Sequence, residues 1–178
     1  MVWGTPPLAR QGHTATLLGS HLYIFGGSSQ IGYLADVVIL DTESPPGTGD
    51  ELLYAWGRPQ ISSMMAPPVA REGHSGILWM SRIVYFGGYT EAGYTNEVVV
   101  LDTDLLSWTK PEVSGETPMA REGHSAVLFK NKMLVFGGFT EAFGCKNDVH
   151  VSTFLQSWID CHYINLPLSA GPVLIIPQ

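Results

Sequence analysis

Apolar positions along this 178-residue chain fall in short runs of β-branched, aromatic and aliphatic residues separated by Gly, Ser, Asn and charged residues. His13 to Leu18, Leu22 to Phe25, Val37 to Leu40 and a run around Trp56 predict four strands, because residues that suit a pleated, half-buried surface are bounded by turn formers. The same order returns as His74 to Trp79, Ile83 to Phe86, Val98 to Leu101 and the Trp108 run. A third series is His124 to Phe129, Met133 to Phe136, Val149 to Val151 and the Trp158 run. No segment of useful length carries apolar residues at the helical period, so the fold class is all-β. The first two strands of each series are apolar on both faces, as expected of a sheet sandwiched between others.

The three series are internal repeats in register. Ala9-Arg10-Gln11-Gly12-His13, Ala70-Arg71-Glu72-Gly73-His74 and Ala120-Arg121-Glu122-Gly123-His124 each precede a Phe-Gly-Gly that begins 12 residues after the His. Those pairs are Gly26 and Gly27, Gly87 and Gly88, and Gly137 and Gly138. The arginines lie 61 and then 50 residues apart, and the Gly-Gly pairs give the same intervals. The extra 11 residues of the first interval therefore fall outside the His-to-Gly-Gly segment, mostly in the Pro/Gly/acid-rich stretch Glu43 to Leu53, a solvated loop by composition.

A four-stranded unit of about 50 residues with a Gly-Gly pair and a later Trp resembles the kelch repeat, whose units are β-propeller blades. The resemblance covers residues from about 3 to 160 and implies three four-stranded antiparallel blades in one domain. Blade 1 is expected at about 9–60, blade 2 at 70–111 and blade 3 at 120–160, with a divergent apolar tail at 161–178. Three blades cannot close a ring by themselves, since propellers have about four to eight. The expected architecture is an open or incomplete ring, with self-association as one way to complete it. Met1 leaves no room for a preceding blade, and the uncharged tail is expected either to cap blade 3 or to be an unrelated end.

Most of the recurring residues read as structural. The glycine pairs suit a backbone that leaves the second strand at positive φ or approaches another strand closely. His13, His74 and His124 occur in every copy, unlike a catalytic group, and are expected to satisfy buried backbone groups of their own blades. Trp56, Trp108 and Trp158 read as packing anchors between blades. Arg10, Arg71 and Arg121 leave two destinations open: pairing with an acidic residue of a neighbouring blade, or pointing into the central opening. In related kelch propellers arginines before the innermost strand can line a pocket for acidic peptides, so the resemblance makes these three a candidate anion-binding ring.

Composition narrows the partner. Lys+Arg 9 against Asp+Glu 16 gives a net charge of -7 with no basic cluster, which argues against nucleic acid or an anionic membrane surface. The apolar C-terminal stretch is broken by Pro167, Gly171, Pro172 and Pro177 and is too short to span a bilayer. With Cys145 and Cys161 alone, a disulfide framework is not expected, and a reducing, cytoplasmic location is. Cys145, Asp148, His150, Cys161 and His162 match no zinc spacing, and no metal, cofactor or catalytic set is assigned. Enzymes occur within the kelch family, but none of their ligand sets maps onto these residues.

The segments between strands two and three differ among copies and carry exposed-type aromatics, so they are the expected contact surface for a protein or peptide. Their candidate residues are Tyr33, Tyr89, Glu91, Tyr94, Phe139, Glu141 and Phe143. The leading expectation is a non-enzymatic interaction module or scaffold. The alternatives are a substrate-recognition subunit for ubiquitin transfer that binds acidic or terminal peptides through the three arginines, and a small-molecule enzyme using the central opening.

Overall fold

The computed structural model describes residues 2–43, 54–62, 66–154 and 161–166. Trp158, most of the Glu43 to Leu53 insertion and everything after Leu166 lie outside these residues. The described residues are all β and contain no helix.

Each repeat forms one antiparallel blade whose strands meander outward. Blade 1 runs through Thr14–Leu18, His21–Phe25, Val37–Asp41 and Tyr54–Gly57. Blade 2 runs through Ser75–Trp79, Arg82–Phe86, Val98–Asp102 and Ser107–Thr109. Blade 3 runs through Ser125–Phe129, Lys132–Phe136, Val149–Thr153 and Cys161–Leu166. The described fourth strand of blade 3 thus starts beyond Trp158 and takes in residues expected to belong to the tail. The chain entering each blade also adds a parallel rung on its outer edge. Val2–Trp3 pairs with Tyr54 and Ala55, Ser62 with Ser107, and Val113–Gly115 with Cys161 to Tyr163. Among the described residues every blade is therefore built from one contiguous stretch of chain, with no strand exchanged between blades.

Two cores hold the arc together, and both lie between blades. Between blades 1 and 2, Tyr23, Phe25 and Val37 meet Ile83, Tyr85, Val99, Leu101 and Trp108. Between blades 2 and 3, Ile77, Trp79, Val84, Phe86, Val98 and Val100 meet Met133, Val135 and Phe154. The third strand of blade 2 explains its own sequence: Val98 and Val100 point to one neighbour, Val99 and Leu101 to the other, so a continuous apolar run is needed. Trp108 packs at this junction, 5.2 Å from the Phe25 ring across it.

The arc is open. Val127, Phe129 and Phe136 of blade 3 are 59%, 59% and 55% exposed, whereas Ile77, Trp79 and Phe86, at the same places in blade 2, are 5%, 5% and 0% exposed.

Candidate functional site

The three arginines sit in none of the places the sequence left open. Each turns back into its own blade and pairs with the acidic residue just before the third strand. Arg10 makes a two-pronged pair with Asp36 (Nη1–Oδ1 2.7 Å, Nη2–Oδ2 3.0 Å), and Arg121 does the same with Asp148 (2.7 and 3.0 Å). Arg71 pairs with Glu97, which also receives Lys110 Nζ at 2.8 Å. Each guanidinium also donates twice to backbone: Nε to Leu8 O, Val69 O and Met119 O, and Nη1 to Gly26 O, Gly87 O and Gly137 O. Planar, multi-donor recognition of this kind engages all three guanidinium nitrogens. Arg71 and Arg121 are fully buried, so no exposed ring of guanidiniums stands ready for an anion, which corrects that reading. The hydrogen bonds from Arg121 hold the Asp148 carboxyl down at about 2. Burial pushes Glu97 up, but the bonds from Lys110 and Arg71 outweigh it and leave its carboxyl below the usual range. The sequence signal for these pairs was an acid one residue before each third strand, at Asp36, Glu97 and Asp148.

The histidines also reach further than expected. His74 Nε2 lies 3.0 Å from Thr14 Oγ1 and His124 Nε2 lies 2.9 Å from Ser75 Oγ, so each imidazole bonds a hydroxyl of the preceding blade rather than backbone of its own. Burial, reinforced by Arg71, His124 and His13, drops the His74 pKa to about 3, and burial with Arg121 drops His124 to about 4. These are neutral joints between blades. His13, with no such partner among the described residues, is exposed.

The residue between Arg and Gly in each motif, which carries no role in the sequence pattern, builds the most distinctive surface. Gln11, Glu72 and Glu122 pair through their backbones with Ser28, Tyr89 and Phe139, at 2.8–3.1 Å in both directions in every case. Those partners open the short hairpins Ser28–Ser29/Gly32–Tyr33, Tyr89–Thr90/Gly93–Tyr94 and Phe139–Thr140/Gly144–Cys145. Each hairpin is thereby pinned beside the motif of its blade. Gln11, Glu72, Glu122, Phe139 and Lys146 line a cleft of about 640 Å³ at the inner ends of the blades.

Beside these acids runs a row of aromatic rings that crosses all three blades. Tyr33 meets Tyr89 at 5.9 Å, Tyr89 meets Tyr94 at 4.8 Å, and Tyr94 meets Phe139 at 5.8 Å between ring centroids. Most of the predicted contact residues are therefore brought together, with Glu91 and Glu141 exposed in the adjoining turns. Phe143 lies beyond the row and takes the Lys146 ammonium 5.2 Å over its ring. The field here is negative. Desolvation, then Glu72, Tyr89, Glu122 and Glu91, raises the Tyr33 pKa; desolvation, then Glu122, Tyr89 and Glu141, raises Tyr94. Desolvation and the nearby Glu72 likewise raise Glu122.

Repeat register and blade topology agree with the family that comparison with known proteins gives. Residues 1–162 match the family model described as the KLHDC2/KLHL20/DRC7 Kelch-repeats domain. This chain belongs to the kelch-repeat family. Its kelch domain is similar to human Host cell factor 1, 34% identical over 127 residues, covering 63% of this chain and 6% of that protein. It is also similar to Tip elongation aberrant protein 3 of Schizosaccharomyces pombe, 31% identical over 124 residues, covering 58% and 11%. A third relative is Acyl-CoA-binding domain-containing protein 5 of Arabidopsis thaliana, 30% identical over 116 residues, covering 64% and 16%. The chain thus spans only a small part of the curated relatives it matches. The kelch domain supports a role as a protein-interaction module.

Proposed function

We propose that this kelch domain is a non-enzymatic interaction module, working in the cytoplasm, whose hairpin face receives a Lys- or Arg-bearing segment of a protein partner. The observation that carries this reading is the aromatic row Tyr33, Tyr89, Tyr94 and Phe139 lying beside Glu72 and Glu122. Aromatic faces attract cations through their quadrupole, and carboxylates next to them add charge and hydrogen-bond acceptors. Lys146 over Phe143 is an internal instance of the same contact. An acidic peptide would meet these carboxylates with the arginines already committed to Asp36, Glu97 and Asp148.

Fluorescence anisotropy with labelled peptides of matched length, one rich in Lys and Arg, one neutral and one acidic, tests the reading. The basic peptide is expected to bind most tightly and to weaken with salt. Tyr89→Ala and the pair Glu72→Gln with Glu122→Gln should each cost at least about tenfold in affinity. Equal binding of the acidic peptide, or full affinity in the Tyr89→Ala protein, would overturn it.

A further inference from the structure

The two inner junctions of the arc use one repeated set of bonds. Between blades 1 and 2, Arg71 N donates to Leu34 O (3.1 Å), Gly27 N to Arg71 O (2.8 Å) and Gly73 N to Gly12 O (2.8 Å), and His74 meets Thr14. Between blades 2 and 3, Arg121 N donates to Thr95 O (3.2 Å), Gly88 N to Arg121 O (2.8 Å) and Gly123 N to Gly73 O (2.8 Å), and His124 meets Ser75.

The halves of a third such junction stand on the two outer faces. Blade 3 presents Lys146 O, Gly138 N, Gly123 O and Ser125 Oγ, while blade 1 presents Arg10 N, Arg10 O, Gly12 N and the His13 imidazole. None of these eight groups has a hydrogen-bond partner among the described residues. The apolar positions match in the same sense. Val127, Phe129 and Phe136 lie open on blade 3, and Leu17 on blade 1 is 57% exposed at the position that Leu78 holds against blade 1.

We propose that a second copy of this chain closes the arc, blade 1 of each protomer seating on blade 3 of the other, to give a six-bladed ring with two identical junctions. Six blades lie within the range of closed propellers, and a head-to-tail contact whose rotation closes forms a ring rather than a filament. The occupant is a blade and not merely an apolar segment, because only a first strand entering through Arg-x-Gly-His supplies an amide, a carbonyl and an imidazole in the pattern that the blade 3 face lacks. This inference stands apart from the hairpin-face reading, and its test uses no peptide.

The experiment is light scattering on the full chain over a concentration series, with Phe129→Glu as the variant of the blade 3 face and Leu17→Glu as the variant of the blade 1 face. Both residues are exposed in the single chain, so thermal unfolding should show folded variants. The unsubstituted chain is expected at twice its 19.4 kDa mass and no larger. Each variant alone should run as a monomer, and mixing the two should restore a heterodimer through the one intact junction. A monomeric unsubstituted chain would overturn the proposal, and hydrogen exchange that shows residues 125–129 protected in that monomer would assign the face to the chain's own residues. Open-ended oligomers would overturn ring closure. A Leu17→Glu protein that still dimerises would mean blade 3 packs on blade 3, which also overturns it.

Discussion

Blades 2 and 3 carry the same motif, hairpins and strand order, yet one is a core and the other is half a surface. Ile77, Trp79 and Phe86 are sealed by blade 3, while Val127, Phe129 and Phe136 hold the same positions in the open. In this array a residue's energetic role comes from the blade beside it as much as from its place in the repeat, as expected when stability is divided between units and their interfaces.

Acid should break the sealed junctions first and most severely. His74 and His124 hold pKa values of about 3 and about 4 in the folded chain, against about 6.5 when unfolded. Between those values the unfolded chain binds protons that the native chain refuses, so stability is complete above about pH 6.5 and is lost as pH falls toward 4. The two imidazoles together should withdraw on the order of 5 kcal/mol. Asp148, at about 2 when folded, adds a further loss only as pH falls below about 3.8. Urea unfolding from pH 7.5 to 4 measures the slope, and replacing both histidines by Gln should flatten it. A slope unchanged in that double variant would mean the histidines are not what holds the junctions at neutral pH.

A direct contrast comes next in size. Phe86→Ala should cost about 3–5 kcal/mol, since a fully buried ring leaves a cavity between two blades. Phe136→Ala, at the equivalent place on the open face, should cost less than about 1 kcal/mol when the protein is dilute enough to be monomeric. Denaturant midpoints with unchanged slopes decide it. Equal costs would mean that something covers the blade 3 face even in the monomer.

The blades, their order and the interblade Trp108 were legible because repetition in register constrains them three times over. The clamps were harder to read. Arginine reaches 26 or 27 residues along the chain, from Arg10 to Asp36, Arg71 to Glu97 and Arg121 to Asp148, and no local pattern links residues so far apart. Alignment of the three copies does link them, through the acid before each third strand, but one copy carries Glu in place of Asp. The histidines depart from the sequence expectation for a related reason. Their partners Thr14 and Ser75 belong to the preceding blade, so the bond exists only between repeats, whereas a repeat pattern describes the inside of one. The aromatic row was half legible. Tyr33, Tyr89, Tyr94 and Phe139 stood out by composition, but their alignment across blades, and the acids beside them, depend on how the hairpins are pinned to Gln11, Glu72 and Glu122.

The smallest effect separates the open face from the sealed one most cleanly. Gly87 and Gly137 have nearly the same backbone, with φ of 69° and 68°, so alanine at either site meets the same left-handed strain of about 1 kcal/mol. At Gly87 an added Cβ would also sit 2.7 Å from Arg121 O and 2.9 Å from His124 Cε1, both belonging to the next blade. At Gly137 the only close atom among the described residues is Lys146 O of its own blade, at 3.1 Å. Gly87→Ala should therefore cost about 2–3 kcal/mol and Gly137→Ala about 1, a gap set by the presence of a neighbouring blade alone. That gap is itself concentration-dependent if a second copy seats on blade 3. Its Arg10 carbonyl and His13 ring would then stand where Arg121 and His124 stand over Gly87, so Gly137→Ala should leave the monomer nearly intact and raise the dimer dissociation constant. An equal cost for the two alanines at every concentration would mean that the neighbouring blade exerts no pressure at Gly87.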